Sequence, residues 1–413
     1  MAKTPLKILE AKNWETNFPY KQNDIVNYQG SLIVCQANHT SGTYANDVAS
    51  LYWRLAVPTD NEIINGNFDF WQRGIVGSYN STSDQRYLAD RILTYNQLST
   101  NFNYVVVQDT TPPTVAQSGF HSNYCHSVYM NSPYNSILTG VECYGPFLYR
   151  MEGNEYQKLH GKLVTLSFWI RATVPGTYSA YFTNASQTQN YVTSFTVNSS
   201  YTWEFKAIVV QLSNANSGWI FDNTSSGLQI GLGYVAGPTY QTSNLGVWQT
   251  QPSNPSISAA ASVNWSATSS AHCDFSQVQL NVGAAPNSTF VRCGRSYLGE
   301  LQRCQRYYAG FVNSTCVLAT NATTAYFNFV FPVPMRIAPS TGFSVTSVTS
   351  GVSIFNALYN SSSSNKNFYW GYGNTTSAVL NCASYSGLPY NSEGILFQNI
   401  GADASGFHFD AEL

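Results

Sequence analysis

Charge is what this chain has least of. Of its 413 residues only 10% are Asp, Glu, Lys or Arg, against about a quarter in ordinary soluble proteins. With a net charge of −2 it offers no general attraction to phosphate backbones or anionic lipids, so nucleic acid and membrane surfaces are poor partners. No apolar run approaches the roughly 20 residues needed to span a bilayer, so membrane insertion is not expected. The start Met1-Ala2-Lys3-Thr4-Pro5 lacks the apolar core of a signal peptide, and synthesis in a cytoplasm with release by lysis is the expectation. The eight cysteines are scattered, with no Cys-x-x-Cys pair, and read as mostly buried free thiols, not as a disulfide frame.

Chemistry-bearing patterns are also scarce. There is no Gly-x-Ser-x-Gly nucleophile elbow. Gly231-Leu232-Gly233-Tyr234-Val235-Ala236-Gly237 has its third glycine one residue late for a dinucleotide loop and lies among strands, where no helix offers its N-terminus to phosphate. His121, Cys125 and His126, with Cys143 as a fourth, have ligand chemistry, but zinc ligands come in matched pairs that are missing here. Glu142, Glu152, Glu155 and Asp222 could supply the two carboxyl groups of a glycosidase. The stacked repeats of a parallel β-helix depolymerase are not seen. We expect a non-enzymatic protein without metal or cofactor.

What is abundant is Asn, Ser, Thr and Tyr, and 15% of the chain is aromatic. Leu163 to Ala172 alternates, with Val164, Leu166, Phe168 and Ile170 on one face and Thr165, Ser167 and Arg171 mostly on the other, predicting a half-buried antiparallel strand. Thr177–Phe182, Trp203–Gln211, Leu228–Tyr234 and Phe275–Val282 repeat the pattern between Gly/Pro/Asn/Ser turns. Several strands with no helical period predict an all-β chain of antiparallel β-sandwich or jelly-roll domains. Near the N-terminus two short strands meet at Gln29-Gly30, a hairpin with flanking aromatics. The one predicted helix, a short link, runs from Tyr297 to Tyr308 behind Ser296 as N-cap. Tyr297, Leu301, Cys304 and Tyr308 form its stripe and are the expected oligomer interface. Beyond it, Phe327, Phe329, Phe331 and Val333 alternate as a core strand, with further strands expected near 343–348, 352–359, 395–400 and 407–409.

Two motifs carry a family resemblance. Asn65-Gly66-Asn67-Phe68-Asp69-Phe70-Trp71-Gln72-Arg73-Gly74, followed by Tyr87-Leu88-Ala89-Asp90-Arg91, resembles the opening of a β-rich module of bacteriophage tail fibres and related virion proteins. Phe275 to Gly283, Thr289-Phe290-Val291-Arg292 and Glu300 to Tyr308 resemble that module's exit strand and the helix joining it to a C-terminal fibre domain. The order of strands in the middle is similar to jelly-roll carbohydrate-binding modules, and Trp14, the Gln29-Gly30 hairpin and Trp53 resemble a small chitin-binding type of module.

The organisation implied is a virion-anchoring module at 1–60, a jelly-roll sandwich at 61–291, a helical neck at 292–310 and a C-terminal β domain at 311–413. The resemblance implies a virion-attached, homotrimeric tail fibre that binds a host cell-surface glycan without turnover and joins other virion proteins through its N-terminal module. A head fibre or decoration protein, or a glycan depolymerase tailspike, are the alternatives. Flat rings stack on sugars while neutral amides and hydroxyls bond their hydroxyl groups. The candidate glycan-binding residues are Tyr369, Trp370, Tyr372, Tyr385 and Tyr390 in two C-terminal loops rich in turn residues, with Trp14, Tyr28 and Trp53 in the N-terminal module.

Overall fold

The computed structural model describes residues 11–133, 140, 142–251, 253–311, 316–319, 324–339, 343–345, 352–356, 359–363, 368–383, 393–398 and 407–413. The chain is all-β, built on antiparallel sheets with few and short helices. It forms two compact units, one of residues 1–69, 76–88 and 92–296, the other of residues 70–75, 89–91 and 297–413.

In the first unit ten strands follow one another in a continuous hydrogen-bonded path: 204–211, 163–172, 273–282, 125–130, 92–109, 143–152, 226–232, 176–183, 189–197 and 248–250. Ile92–Asp109 makes this possible because it is 18 residues long. Its first half pairs with Cys143–Glu152 and its second half with Cys125–Met130. The strand thus belongs to both halves of the sandwich, and Val76–Tyr87 pairs along its other edge. Rings from both halves meet in the core: Phe168 lies 5.1 Å from Phe195 and 6.0 Å from Phe275, and Phe147 lies 5.7 Å from Phe275.

Leu163–Ala172 forms as its alternation predicts, but it is not half-buried. Val164, Leu166, Phe168 and Ile170 are fully buried, and so are Thr165 and Ser167 on the other face. The N-terminal segment supplies the cover: Tyr20, Val26, Ile33, Trp53 and Leu55 join Leu163, Phe205, Val209 and Ala284 in one apolar cluster. That segment is built on the expected hairpin, Ile25–Tyr28 against Ser31–Cys35. Gln29 and Gly30 both have positive φ, 46° and 81°, as the type I′ turn between right-twisted strands requires. A helix at Tyr44–Ala49 was not expected from the sequence.

The 65–74 and 275–292 segments interlock here. A Cβ at Gly66 would stand 2.0 Å from the Val278 carbonyl oxygen, so only glycine admits the close backbone pairing in which Val278 N donates to Gly66 O at 2.8 Å. Arg292 donates from Nε to Asp69 Oδ2 at 2.8 Å, tying the exit segment to the opening one.

The second unit holds a seven-stranded sheet in the order 359–363, 352–356, 393–398, 316–319, 324–330, 377–383, 368–373, and a three-stranded one of 308–311, 407–410 and 343–345. Its core is phenylalanine-rich: Phe327, Phe329, Phe331, Phe407 and Phe409 are buried, and Phe311 and Trp370 pack against them. The helix covers Tyr297–Gln305, shorter than expected, because Tyr308 already begins a strand. Glu300 and Cys304 are buried on its inner side, while Tyr297 and Leu298 are 55% and 64% exposed.

Candidate functional site

Cross-strand neighbours share a face of a sheet, so the register of the first unit spells out one surface residue by residue. Tyr87, Leu93, Leu148, Gly231, Tyr181 and Val192 stand opposite one another in a single row across six strands. The adjoining row reads Gln85, Tyr95, Gly145, and the next Ser83, Gln97, Cys143, Ala236. On the other side comes a polar row of Arg150, Gln229, Thr183 and Asn190. The surface is therefore an apolar, aromatic band bordered by amides and one guanidinium.

A cleft of about 220 Å³ opens on this face. Its floor is Tyr181, Tyr234, Cys143 and Leu148, all buried, and Tyr95 and Tyr240 are half-buried above it. Two glycines make room for the floor rings. A Cβ at Gly231 would stand 2.0 Å from the Tyr181 ring, and one at Gly145 would stand 2.0 Å from the Tyr234 ring. Each tyrosine therefore lies down over a glycine, and the two rings meet edge to face at 5.0 Å. Gln85, Gln97, Gln187, Arg150, Pro255 and Ile257 complete the lining. Tyr95 donates its hydroxyl to Gln97 Oε1 at 2.9 Å, which fixes both side chains.

Burial pushes the Tyr95 phenol up to about 12 and raises Tyr181, Tyr234 and Tyr240 as well. Burial also moves the Cys143 thiol up to about 12. All remain protonated at neutral pH, and among the described lining residues Arg150 is the only charged side chain. Phenols, primary amides and one guanidinium can donate and accept hydrogen bonds around an aromatic base. They carry no pair of carboxyl groups for glycoside hydrolysis.

The candidate residues read from the sequence fall elsewhere. Phe368–Gly373 is not a loop but the edge strand of the seven-stranded sheet, with a bulge between Trp370 and Tyr372. Tyr369 and Tyr372 are 54% and 63% exposed, whereas Trp370 packs on the phenylalanine core. Tyr385 and Tyr390 lie outside the described residues. Trp53 is fully buried, 4.9 Å from Tyr20, which removes it as a ligand contact. Trp14 and Tyr28 are half-buried, with Tyr28 stacked on Tyr44 at 3.4 Å. Of the helix stripe, Cys304 and Tyr308 are buried by their own chain, so the four residues are not one exposed seam. Leu301 is half-buried and Tyr297 exposed.

His121, Cys125, His126 and Cys143 do not converge. His126 is fully buried and donates from Nε2 to Pro146 O at 3.0 Å, while His121 is exposed beside Asn123. No group of three or more metal-ligating side chains occurs among the described residues. The six described cysteines with known burial are buried free thiols.

The sequence reading missed the tyrosine cleft because its residues arrive from four strands and from the segments between strands, far apart in the chain. The signal present was glycine inside a strand pattern, at 145 and 231, which marks close approach by another group.

No family model matches the chain, and no curated protein does. Among solved structures it is similar to the enzymatically active domain of tailspike protein 4 of bacteriophage CBA120, at 12% identity and a TM-score of 0.29, over 54% of this chain and 21% of that one. It is also similar to a family 11 carbohydrate-binding module from Clostridium thermocellum in complex with a β-1,3-1,4-mixed-linked tetrasaccharide, at 13% identity and a TM-score of 0.24, covering 52% and 94% of the two chains. A carbohydrate-binding module of the β-sandwich superfamily matches at 10% identity and a TM-score of 0.26, over 60% and 72%. The chain spans about a fifth of the length of the tailspike domain.

Proposed function

We propose that this protein is a glycan-binding fibre of a bacteriophage virion, a tail fibre that holds a neutral segment of host-surface polysaccharide in the tyrosine cleft of its first unit without cleaving it. The observation that carries the proposal is the cleft itself: Tyr95, Tyr181, Tyr234 and Tyr240 stand around it with Gln85, Gln97, Gln187 and Arg150. Rings provide the platform for the apolar faces of sugars, and amides match their hydroxyls. The virion setting rests on the resemblance of the two motifs to phage fibre modules. Presentation as a homotrimer would raise weak single-site contacts to useful avidity, with exposed Tyr297 and Leu298 of the linking helix available to a neighbouring copy.

Adding the purified chain to host cells before phage tests the proposal. It should lower phage adsorption in a saturable way and release no reducing ends from the host polysaccharide. Absence of any competition would move the protein to a structural virion component such as a head fibre, and release of reducing ends would make it a depolymerase.

A further inference from the structure

A second pocket, of about 160 Å³, lies on the other half of the first unit's sheet, where Trp169, Phe205, Gln277 and Gln279 meet Leu51 and Arg54 of the N-terminal segment. Arg54 is the only charged side chain that lines it among the described residues. Elsewhere Arg73, Arg91, Arg171 and Arg292, whose side chains are little exposed, each face a carboxylate. No carboxylate lies within ion-pair distance of Arg54 among the described residues, and desolvation is what acts on its charge. Its contacts are the Phe205 ring, 4.7 Å from the guanidinium carbon, and a long donation to Trp53 O at 3.5 Å. Most of the five N–H donors of the guanidinium are thus uncommitted.

The surrounding groups suit a single ring with an acid on it. Trp169 and Phe205 stand edge to face at 5.5 Å and form an aromatic wall. Gln279 Oε1 accepts from Val291 N at 2.9 Å and from Asn287 Nδ2 at 3.4 Å, which leaves its amide nitrogen to donate. Gln277 donates to the Ser118 and Ser122 hydroxyls at 3.0 and 2.9 Å, which leaves its amide oxygen to accept. The volume equals that of about five waters, enough for one sugar ring and too little for a chain.

We propose that this pocket binds a carboxylate-bearing sugar unit of the uronic acid class, its carboxylate on Arg54 and its apolar face on the Trp169–Phe205 wall. A planar guanidinium pairs with carboxylate in a two-point geometry that a neutral hydroxyl cannot match. The inference concerns a second site and does not rest on the neutral-glycan reading of the tyrosine cleft.

Titration calorimetry of the full chain at low salt, with D-glucuronate, D-glucose and sulfate as probes, tests it. Glucuronate should bind, with glucose and sulfate each weaker by roughly tenfold or more. Arg54→Gln should weaken glucuronate by a similar factor. Ser288→Trp should do the same by filling the mouth, and because Ser288 is exposed it decides the matter should Arg54→Gln fail to fold. No binding of glucuronate, equal binding of glucose, or binding unchanged by Ser288→Trp would overturn the proposal. Sulfate as tight as glucuronate would reduce the pocket to a simple anion site and overturn it equally.

Discussion

At the scale of single residues, the cleft depends on atoms that are missing. Gly231 and Gly145 leave the space in which the rings of Tyr181 and Tyr234 lie. Gly231→Ala should displace Tyr181, cost about 1–3 kcal/mol of stability through overpacking, and weaken sugar binding although no contact group has been removed. Denaturant unfolding and a binding titration on the same variant check this; an unchanged affinity would mean that Tyr181 is not part of the platform. His126 gives a pH dependence. It is fully buried, stacked 5.4 Å from Phe68, and burial lowers it from 6.5 to about 4. Between those values the unfolded chain takes up a proton that the folded chain refuses. The stabilisation is therefore complete above pH 6.5 and lost as pH falls toward 4, a loss of about 3 kcal/mol. Unfolding of wild type and His126→Gln at pH 7 and pH 4 should show wild type losing more by roughly that amount, and parallel profiles would refute it.

Elements were legible where one face is apolar throughout. Leu163–Ala172 and the 273–282 exit strand follow directly from their alternation. The 76–87 and 92–109 hairpin did not appear, because its residues are largely Ser, Thr, Asn, Gln and Tyr and alternate weakly. The aromatic run Phe368–Gly373 was read as a loop for its glycines, yet these accompany a bulge in an edge strand. This separates two roles within one segment. Trp370→Ala should cost the second unit about 3 kcal/mol, since the ring packs on its phenylalanine core. Tyr372→Ala, at an exposed position, should stay within about 0.5 kcal/mol. Thermal unfolding of both decides it, and equal loss would put Tyr372 in the core as well. The helix stripe failed for a related reason: spacing places residues on one face but does not say which molecule covers that face. Here Glu300 and Cys304 turn into their own chain.

For the molecule as a whole, the scarcity of charge has a structural counterpart. Several ion pairs lock segments remote in sequence. Arg73 reaches Asp90 at 3.4 Å, Asp410 at 3.0 Å and Glu412 at 3.3 Å. Arg91 pairs with Glu412 and lies 3.5 Å over the Tyr307 ring. Arg171 holds Asp274 at 2.8 Å in the first unit. The Trp71-Gln72-Arg73 and Asp90-Arg91 motifs thus act within the second unit as structure, an internal pairing that the sequence motif already suggested. The remaining surface is left to hydroxyls, amides and rings, the chemistry of neutral sugar recognition.

The most direct test is an equilibrium titration of the purified chain with neutral oligosaccharides cut from the host-surface polysaccharide, run in parallel on wild type and Tyr95→Ala. The account predicts saturable binding that Tyr95→Ala weakens by roughly tenfold or more, with the fold intact by circular dichroism and the oligosaccharide recovered uncut. Equal affinity in the two proteins, or a shortened oligosaccharide after incubation, would contradict it.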